Sequence, residues 1–222
     1  MSMEPARIAA WIEARAPQQT AVAVDRIMPG RAFDTAEELP VARAVASRRD
    51  EFATGRRLAR EALGRLGCAP ASIPPDADRV PVWPEGFLGT ISHAGGLCVA
   101  HVGRTCNLVG LGIDIESTSR LEPALATAIC RIDEHTLDGT NEAINPFLLR
   151  FVAKEAFFKA YFPAARSFLE FHDVRVEIDS RRGLFEARLM HSDKPALEGA
   201  RAFVGCFESF GTHVAAAVWI ER

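Results

Sequence analysis

Residues 86–116 read GFLGTISHAGGLCVAHVGRTCNLVGLGIDIE, and the fold class turns on this stretch. Phe87–Ser92, Leu97–Val102 and Leu108–Glu116 are apolar segments of strand length, separated by turn residues at Ala94-Gly95-Gly96 and Arg104–Asn107. The spacing predicts a three-stranded meander. On its N-terminal side, residues 67–85 (GCAPASIPPDADRVPVWPE) are rich in Pro and Asp and predict an irregular surface loop. Before that loop, Val41–Leu66 reads as a helix with a break point at Gly55 and a buried stripe of Val45, Phe52, Ala59, Leu63 and Leu66. Thr35 and Glu38 have the spacing of a capping box, QTAVAVD at 19–25 alternates as a strand, and the first residues form a short amphipathic helix.

On the C-terminal side, helical signals run from Leu121 to about Glu134 and again from Pro146 to Phe162, with Asn145 as N-cap and Pro163 as the stop. Asp173–Ile178, Leu184–Met190, Ala202–Phe207 and His213–Ile220 then read as strands. Both halves run from helices into a meander, and each carries a small-residue strand, LCVAHV and HVAAAVWI. The expectation is an α+β protein of two similar lobes, residues 1–118 and 119–222, each a small antiparallel sheet packed with helices.

Composition narrows the function classes. The 222 residues are 48% hydrophobic and 25% charged, enough apolar material for a normal core. A net charge of -3 provides no global positive field, so neither nucleic acid nor a membrane surface is an expected partner. No apolar run reaches the ~18 residues of a membrane span, and Glu4, Arg7, Glu13 and Arg15 interrupt the start where a signal peptide would be apolar. The five cysteines show no C-x-x-C spacing, which fits reduced thiols in the cytoplasm.

Four features could carry chemistry. In GLGIDIE, alternation puts Asp114 and Glu116 on one face, with Cα atoms roughly 6.5–7 Å apart, so the carboxylates could converge on a hard cation; a solvated strand face would look the same. In LLRFVAKEAFFKAYF, Glu155 and Lys159 stand at i, i+4 on a stripe with Leu148 and Val152. That pair is either a surface ion pair or, beside core residues, a working one. The helix SRRDEFATGRRLAREALGRL sets Arg49, Arg56 and Arg60 on one stripe, able to grip phosphate or simply to face solvent. Ser92-His93 ends a strand at a glycine turn and could donate to a ligand phosphate, whereas His101 and His213 read as satisfied strand histidines. Only Lys154, Lys159 and Lys194 are lysines in a chain that otherwise uses Arg. Two strand acids, a helix Glu and several cations suit Mg²⁺-assisted attack on a phosphate ester or pyrophosphate.

The ordered motifs Arg49-Asp50-Glu51-Phe52…Gly55-Arg56…Ala59-Arg60, Val80-Pro81-Val82-Trp83-Pro84, Ile91-Ser92-His93, Gly112-Ile113-Asp114-Ile115-Glu116 and Phe151…Lys154-Glu155-Ala156…Lys159 resemble the 4′-phosphopantetheinyl transferase superfamily, most closely its enterobactin synthase component D type of branch. The resemblance implies transfer of the phosphopantetheine arm of coenzyme A to a serine of an apo acyl, peptidyl or aryl carrier protein, with release of adenosine 3′,5′-bisphosphate. It implies Mg²⁺ held by Asp114, Glu116 and Glu155, with Glu155 and Lys159 as the catalytic pair. By the same likeness, coenzyme A contacts would fall to Arg48, Arg49, Arg56, Arg79, Ser92, His93, Lys154 and Lys159. It further implies a monomeric pseudo-dimer with the ligand in the cleft between its lobes, serving a pathway such as siderophore biosynthesis. Phe151 stands where many members have Trp, and Phe158 where Tyr is frequent. The alternatives are a non-catalytic relative binding coenzyme A or a carrier, and a Mg-dependent nucleotide phosphohydrolase.

Overall fold

The computed structural model describes residues 3–118, 125–134 and 145–222. Helix α1 (Glu4–Glu13) buries Ile8, Trp11 and Ile12, the i, i+3, i+4 spacing of one helical face. Strand β1 (Thr20–Arg26) follows, then a one-turn helix α2 (Thr35–Glu38) capped by Asp34, whose side chain accepts from the Glu37 N–H. The cap is therefore Asp34, one residue ahead of the expected Thr35. Helix α3 (Ala46–Arg65) passes unbroken through Gly55, where a Cβ would come within 2.8 Å of the Ile91 Cγ2. The glycine serves close packing and does not end the helix.

Strands β2 (Phe87–Ala94), β3 (Leu97–Arg104) and β4 (Leu108–Ser117) occupy the decisive stretch, but they do not form one meander. The first sheet has the order β1-β3-β2, and β4 instead hydrogen-bonds to β8 in a five-stranded antiparallel sheet, β4-β8-β7-β6-β5. Here β5 is Val174–Asp179, β6 Leu184–Leu189, β7 Ala202–Ser209 and β8 His213–Glu221. GLGIDIE, expected with the first lobe, thus belongs to the second sheet. Between β2 and β4 two side chains replace the ladder: Thr90 Oγ1 and Ser92 Oγ each accept a β4 amide, from Ile113 and Ile115, at 3.3 Å. These bonds satisfy edge donors that would otherwise lie buried and unpaired.

Helix α4 (Ala126–Ile129) and a 3-10 turn at Ile132–Glu134 cover part of the helix expected over 121–134, whose first residues, like the expected division near Arg120, lie outside the described ones. Helix α5 (Pro146–Ala165) is capped by Asn145 as expected but continues past Pro163 to Arg166, a left-handed cap at φ 49° whose N–H returns to Phe162 O.

Among the described residues, three apolar clusters organise the packing. One lies between α5 and the five-stranded sheet, centred on Phe157, Tyr161, Phe185 and Val218. Another sits between α3 and the three-stranded sheet, with Leu58, Leu63, Cys98 and Val102. The third joins α1 to both sheets: Val22, Leu97 and Val99 meet Ile113, Ile115, Ala215 and Ala217. Since β4 faces this shared core with its isoleucines, its opposite face carries Gly110, Gly112, Asp114 and Glu116 toward α5.

Candidate active site

The glycines on that face set the distance. A Cβ on Gly112 would fall on the Ala156 carbonyl oxygen, and one on Gly110 on that of Ala160. Only bare backbone lets α5 lie this close to β4, and the close approach brings Glu155 and Lys159 beside Asp114. The Lys159 ammonium meets Asp114 Oδ1 at 2.6 Å, and the Ser92 hydroxyl donates to the same oxygen at 2.7 Å while accepting from Lys159 at 3.1 Å. Asp114 Oδ2 is buried without a partner. Burial pushes the Glu155 carboxyl above its ordinary range; the charges of Asp114 and then Glu116 push the same way, and Lys159 opposes them. Glu116 is half-buried one strand repeat further on.

Three carboxylates thus share one neighbourhood, and all offer hard oxygen donors. Among the described residues, however, no three His, Cys, Asp or Glu side chains converge tightly enough to enclose a metal. Lys159 holds Asp114 instead. The orphaned Oδ2 and the mutual repulsion acting on Glu155 fit a divalent cation bound by oxygen.

Beside this cluster opens a cavity of about 840 Å³. Its walls come from both halves of the sequence: Arg48, Phe52 and Arg56 of α3, Arg79 of the 67–86 loop, His93 of β2, and Phe158, Lys159 and Phe162 of α5. Arg48 donates to His93 Nε2 at 2.7 Å. Because a guanidinium can only donate, that nitrogen is the acceptor, which makes the ring the neutral Nδ1–H tautomer. Burial lowers the His93 pKa, in keeping with a neutral ring. Arg56 lies 4.3 Å above the Phe52 ring with Nε bonded to Ile73 O, and burial lowers its pKa to about 10. Arg79 is exposed on the loop at φ 66°. Phe158 stacks on Phe162 at 5.1 Å and meets Phe168 edge-on at 5.3 Å, so an aromatic wall stands at the end of α5.

Of the residues expected at a ligand, Arg48, Arg56, Arg79, His93 and Lys159 line the cavity and three do not. Lys154 is 2% exposed and donates to Glu134 Oε2, Ile129 O and Phe171 O. One residue before Glu155 on a helix is 100° away, so Lys154 faces the core and ties α5 to the segment ending at Glu134. Ser92 is spent on Asp114 and the β4 backbone, as described. Arg49 turns back to Ala44 O and stays exposed. The expected arginine stripe is further broken at Arg60, which pairs with Glu37 at 2.5 Å. His213 is satisfied by Glu4 and Ala94 O, but His101 is wholly buried with neither ring nitrogen bonded, contrary to expectation. Sequence reasoning missed Glu37; the spacing Asp34-x-x-Glu37, a capping signature one register earlier than the one read, would have pointed to it.

Comparison with known proteins accords with this arrangement. Residues 36–103 match the family model of the 4′-phosphopantetheinyl transferase N-terminal domain, and residues 110–211 match that of the 4′-phosphopantetheinyl transferase superfamily. The chain is 37% identical over 158 residues to the 4′-phosphopantetheinyl transferase Svp of Streptomyces mobaraensis, covering 69% of this chain and 64% of that protein. It is 38% identical over 161 residues to the 4′-phosphopantetheinyl transferase PptT of Mycobacterium tuberculosis, covering 69% and 71%. With enterobactin synthase component D of Salmonella typhimurium it shares 33% identity over 119 residues, 51% of this chain and 48% of that one. The matched stretch therefore spans just under two thirds of Svp and about half of component D. Both sequence halves, the strand that bears Asp114 and the helix that bears Glu155 fall within the matched models, and the chain belongs to the 4′-phosphopantetheinyl transferase superfamily.

Proposed function

We propose that this chain transfers 4′-phosphopantetheine from coenzyme A to a serine of an apo acyl-, peptidyl- or aryl-carrier protein, acting as a monomer in the cytoplasm, with the cavity between its two sequence halves as the coenzyme A cleft. The observation that carries the reading is the Asp114–Lys159–Glu155 cluster beside a cavity walled by Arg48, Arg56, Arg79 and His93. Asp114, Glu116 and Glu155 would hold Mg²⁺, which when bound neutralises charge on the pyrophosphate.

The protein's own groups account for the rest. The arginines neutralise and orient the phosphates of coenzyme A, a multiply anionic ligand, in a net-acidic protein where cations gather only locally, and the neutral His93 ring adds a hydrogen-bonding group to the same wall. The carrier serine oxygen forms a bond to the phosphorus bearing the pantetheine arm. The bond from that phosphorus to the bridging oxygen breaks, and adenosine 3′,5′-bisphosphate leaves. Glu155, whose raised proton affinity suits a general base, accepts the serine proton. Lys159 offsets negative charge on the departing phosphate. Siderophore assembly is one pathway such a carrier could serve.

Intact-mass measurement of an apo carrier protein, after incubation with this protein, coenzyme A and Mg²⁺, tests the reading. A gain of one phosphopantetheine that disappears on chelation is the expected result. Coenzyme A bound without transfer across several carrier types would indicate a binding relative, and coenzyme A cleaved with the carrier unmodified would indicate a hydrolase.

A further inference from the structure

The Glu37 side chain is wholly buried although its neighbours in the one-turn helix α2 are exposed, and it lies outside the carboxylate cluster. A buried carboxylate is costly unless donors surround it, and three do. Its Oε1 accepts the Arg60 guanidinium at 2.5 Å and the Ile73 N–H at 2.8 Å, and its Oε2 accepts the Phe33 N–H at 3.2 Å. The same Ile73 residue offers its carbonyl to Arg56 Nε at 2.6 Å. A continuous relay therefore runs from Glu37 through the Ile73 backbone to Arg56, whose guanidinium is clamped over Phe52 at the cavity wall. Glu37 also holds Arg60, one turn beyond Arg56 on α3, away from the cavity lining.

We infer that Glu37 is a positioning residue for the phosphates of coenzyme A: it fixes the 73 backbone, and that backbone spends Arg56 Nε and sets the plane of the guanidinium, leaving the two Nη groups for the ligand. An arginine side chain carries large rotamer freedom, and fixing it before the ligand arrives removes that ordering cost from binding. The inference rests on the reading of the cavity as a coenzyme A cleft. No chemistry is assigned to Glu37 itself.

A double-mutant cycle on coenzyme A affinity, measured by calorimetry with the full chain, provides the test. Arg56→Gln is expected to weaken binding, and Glu37→Gln to weaken it about tenfold, the scale of a lost charge-assisted hydrogen bond. In the Arg56→Gln background, adding Glu37→Gln should cost nothing more, because the effect passes through Arg56. A general loss of structure would instead weaken binding equally in both backgrounds, and that result would overturn the inference. So would wild-type affinity in Glu37→Gln while Arg56→Gln binds weakly. Unchanged affinity in Arg56→Gln would sink the coenzyme A reading of the cavity and the inference with it. A second readout is the Arg56 Nε–H resonance, expected to exchange slowly in the wild type and to lose that protection in Glu37→Gln; persistence of protection speaks against the relay. Should Glu37→Gln fail to fold, Glu37→Asp keeps the charge but shortens the reach, and it is expected to give a smaller loss with the same dependence on Arg56. Wild-type affinity in Glu37→Asp would overturn the inference.

Discussion

At the scale of single residues, the half-buried Glu155 and the buried His101 make opposite predictions. Glu155 sits where burial and two neighbouring carboxylates disfavour its charge, so the folded state holds its proton more tightly than the unfolded chain does. Its contribution favours folding as pH falls through the raised pKa and opposes folding at neutral pH. Glu155→Gln is therefore expected to abolish transfer while melting, in metal-free neutral buffer, at or above the wild-type temperature. A clear drop in melting temperature would show that the carboxylate is structural. His101 behaves in the reverse sense: burial holds its pKa down to about 3, against an ordinary 6.5. The unfolded chain takes up that proton first, so stability is lost as pH falls below the ordinary value and goes on falling toward the buried one. Replacing the unbonded imidazole in His101→Leu should flatten this acid limb in a series of urea melts across the range. An unchanged acid limb would mean that other groups carry it.

At the scale of elements, the contact between α5 and β4 governs the site. Gly112→Ala puts a methyl group onto the Ala156 carbonyl, and neither backbone can give way without moving Glu155 and Lys159. Overpacking of this kind costs about 1–3 kcal/mol, and both melting temperature and turnover should fall. Gly64→Ala is the contrasting case, an exposed glycine near the end of α3 with nothing within 4 Å of the added carbon. It should stabilise by about 0.5–1 kcal/mol through helix propensity and leave turnover unchanged. A loss of stability in Gly64→Ala, or none in Gly112→Ala, would contradict the packing described. Most element positions were legible in the sequence, since period and turn residues are local signals. Three positions differ from the local reading: Gly55 lies inside α3 because of its packing against Ile91, Pro163 lies inside α5 with the left-handed Arg166 as the stop, and the α2 cap is Asp34, a local signal one residue ahead of Thr35.

At the scale of the whole molecule, the two sheets are joined by a common core. Ile113 and Ile115 belong to the five-stranded sheet but pack with α1, Val22, Leu97 and Val99 of the N-terminal half. Two hydroxyls complete the join by taking the outer amides of β4. The halves should therefore unfold together. Ile115→Ala, which empties a fully buried position, should cost about 2–5 kcal/mol and lower the stability of both sheets at once. Far-ultraviolet dichroism and tryptophan fluorescence should give coincident denaturation curves in the wild type and in this variant, because Trp11, Trp83 and Trp219 are spread over the chain. Separate transitions would show that the shared core does not couple the halves.

The sequence by itself determined the α+β class, the strand bearing Asp114 and Glu116, the helix bearing Glu155 and Lys159, and the motif order that matches the superfamily. These are properties of neighbours along the chain, set by alternation, helical spacing and turn chemistry. Only the tertiary structure decided that β4 leaves its sequence neighbours to pair with β8, since strand pairing depends on partners at any distance along the chain. The tertiary structure also separated two lysines of one helix by role: Lys159 turns to Asp114 at the cavity, and Lys154 is buried on Glu134. It chose Arg56 over Arg49 and Arg60 in the same way, because a helix face offers several cations and only the groups packed against it decide which one reaches a ligand.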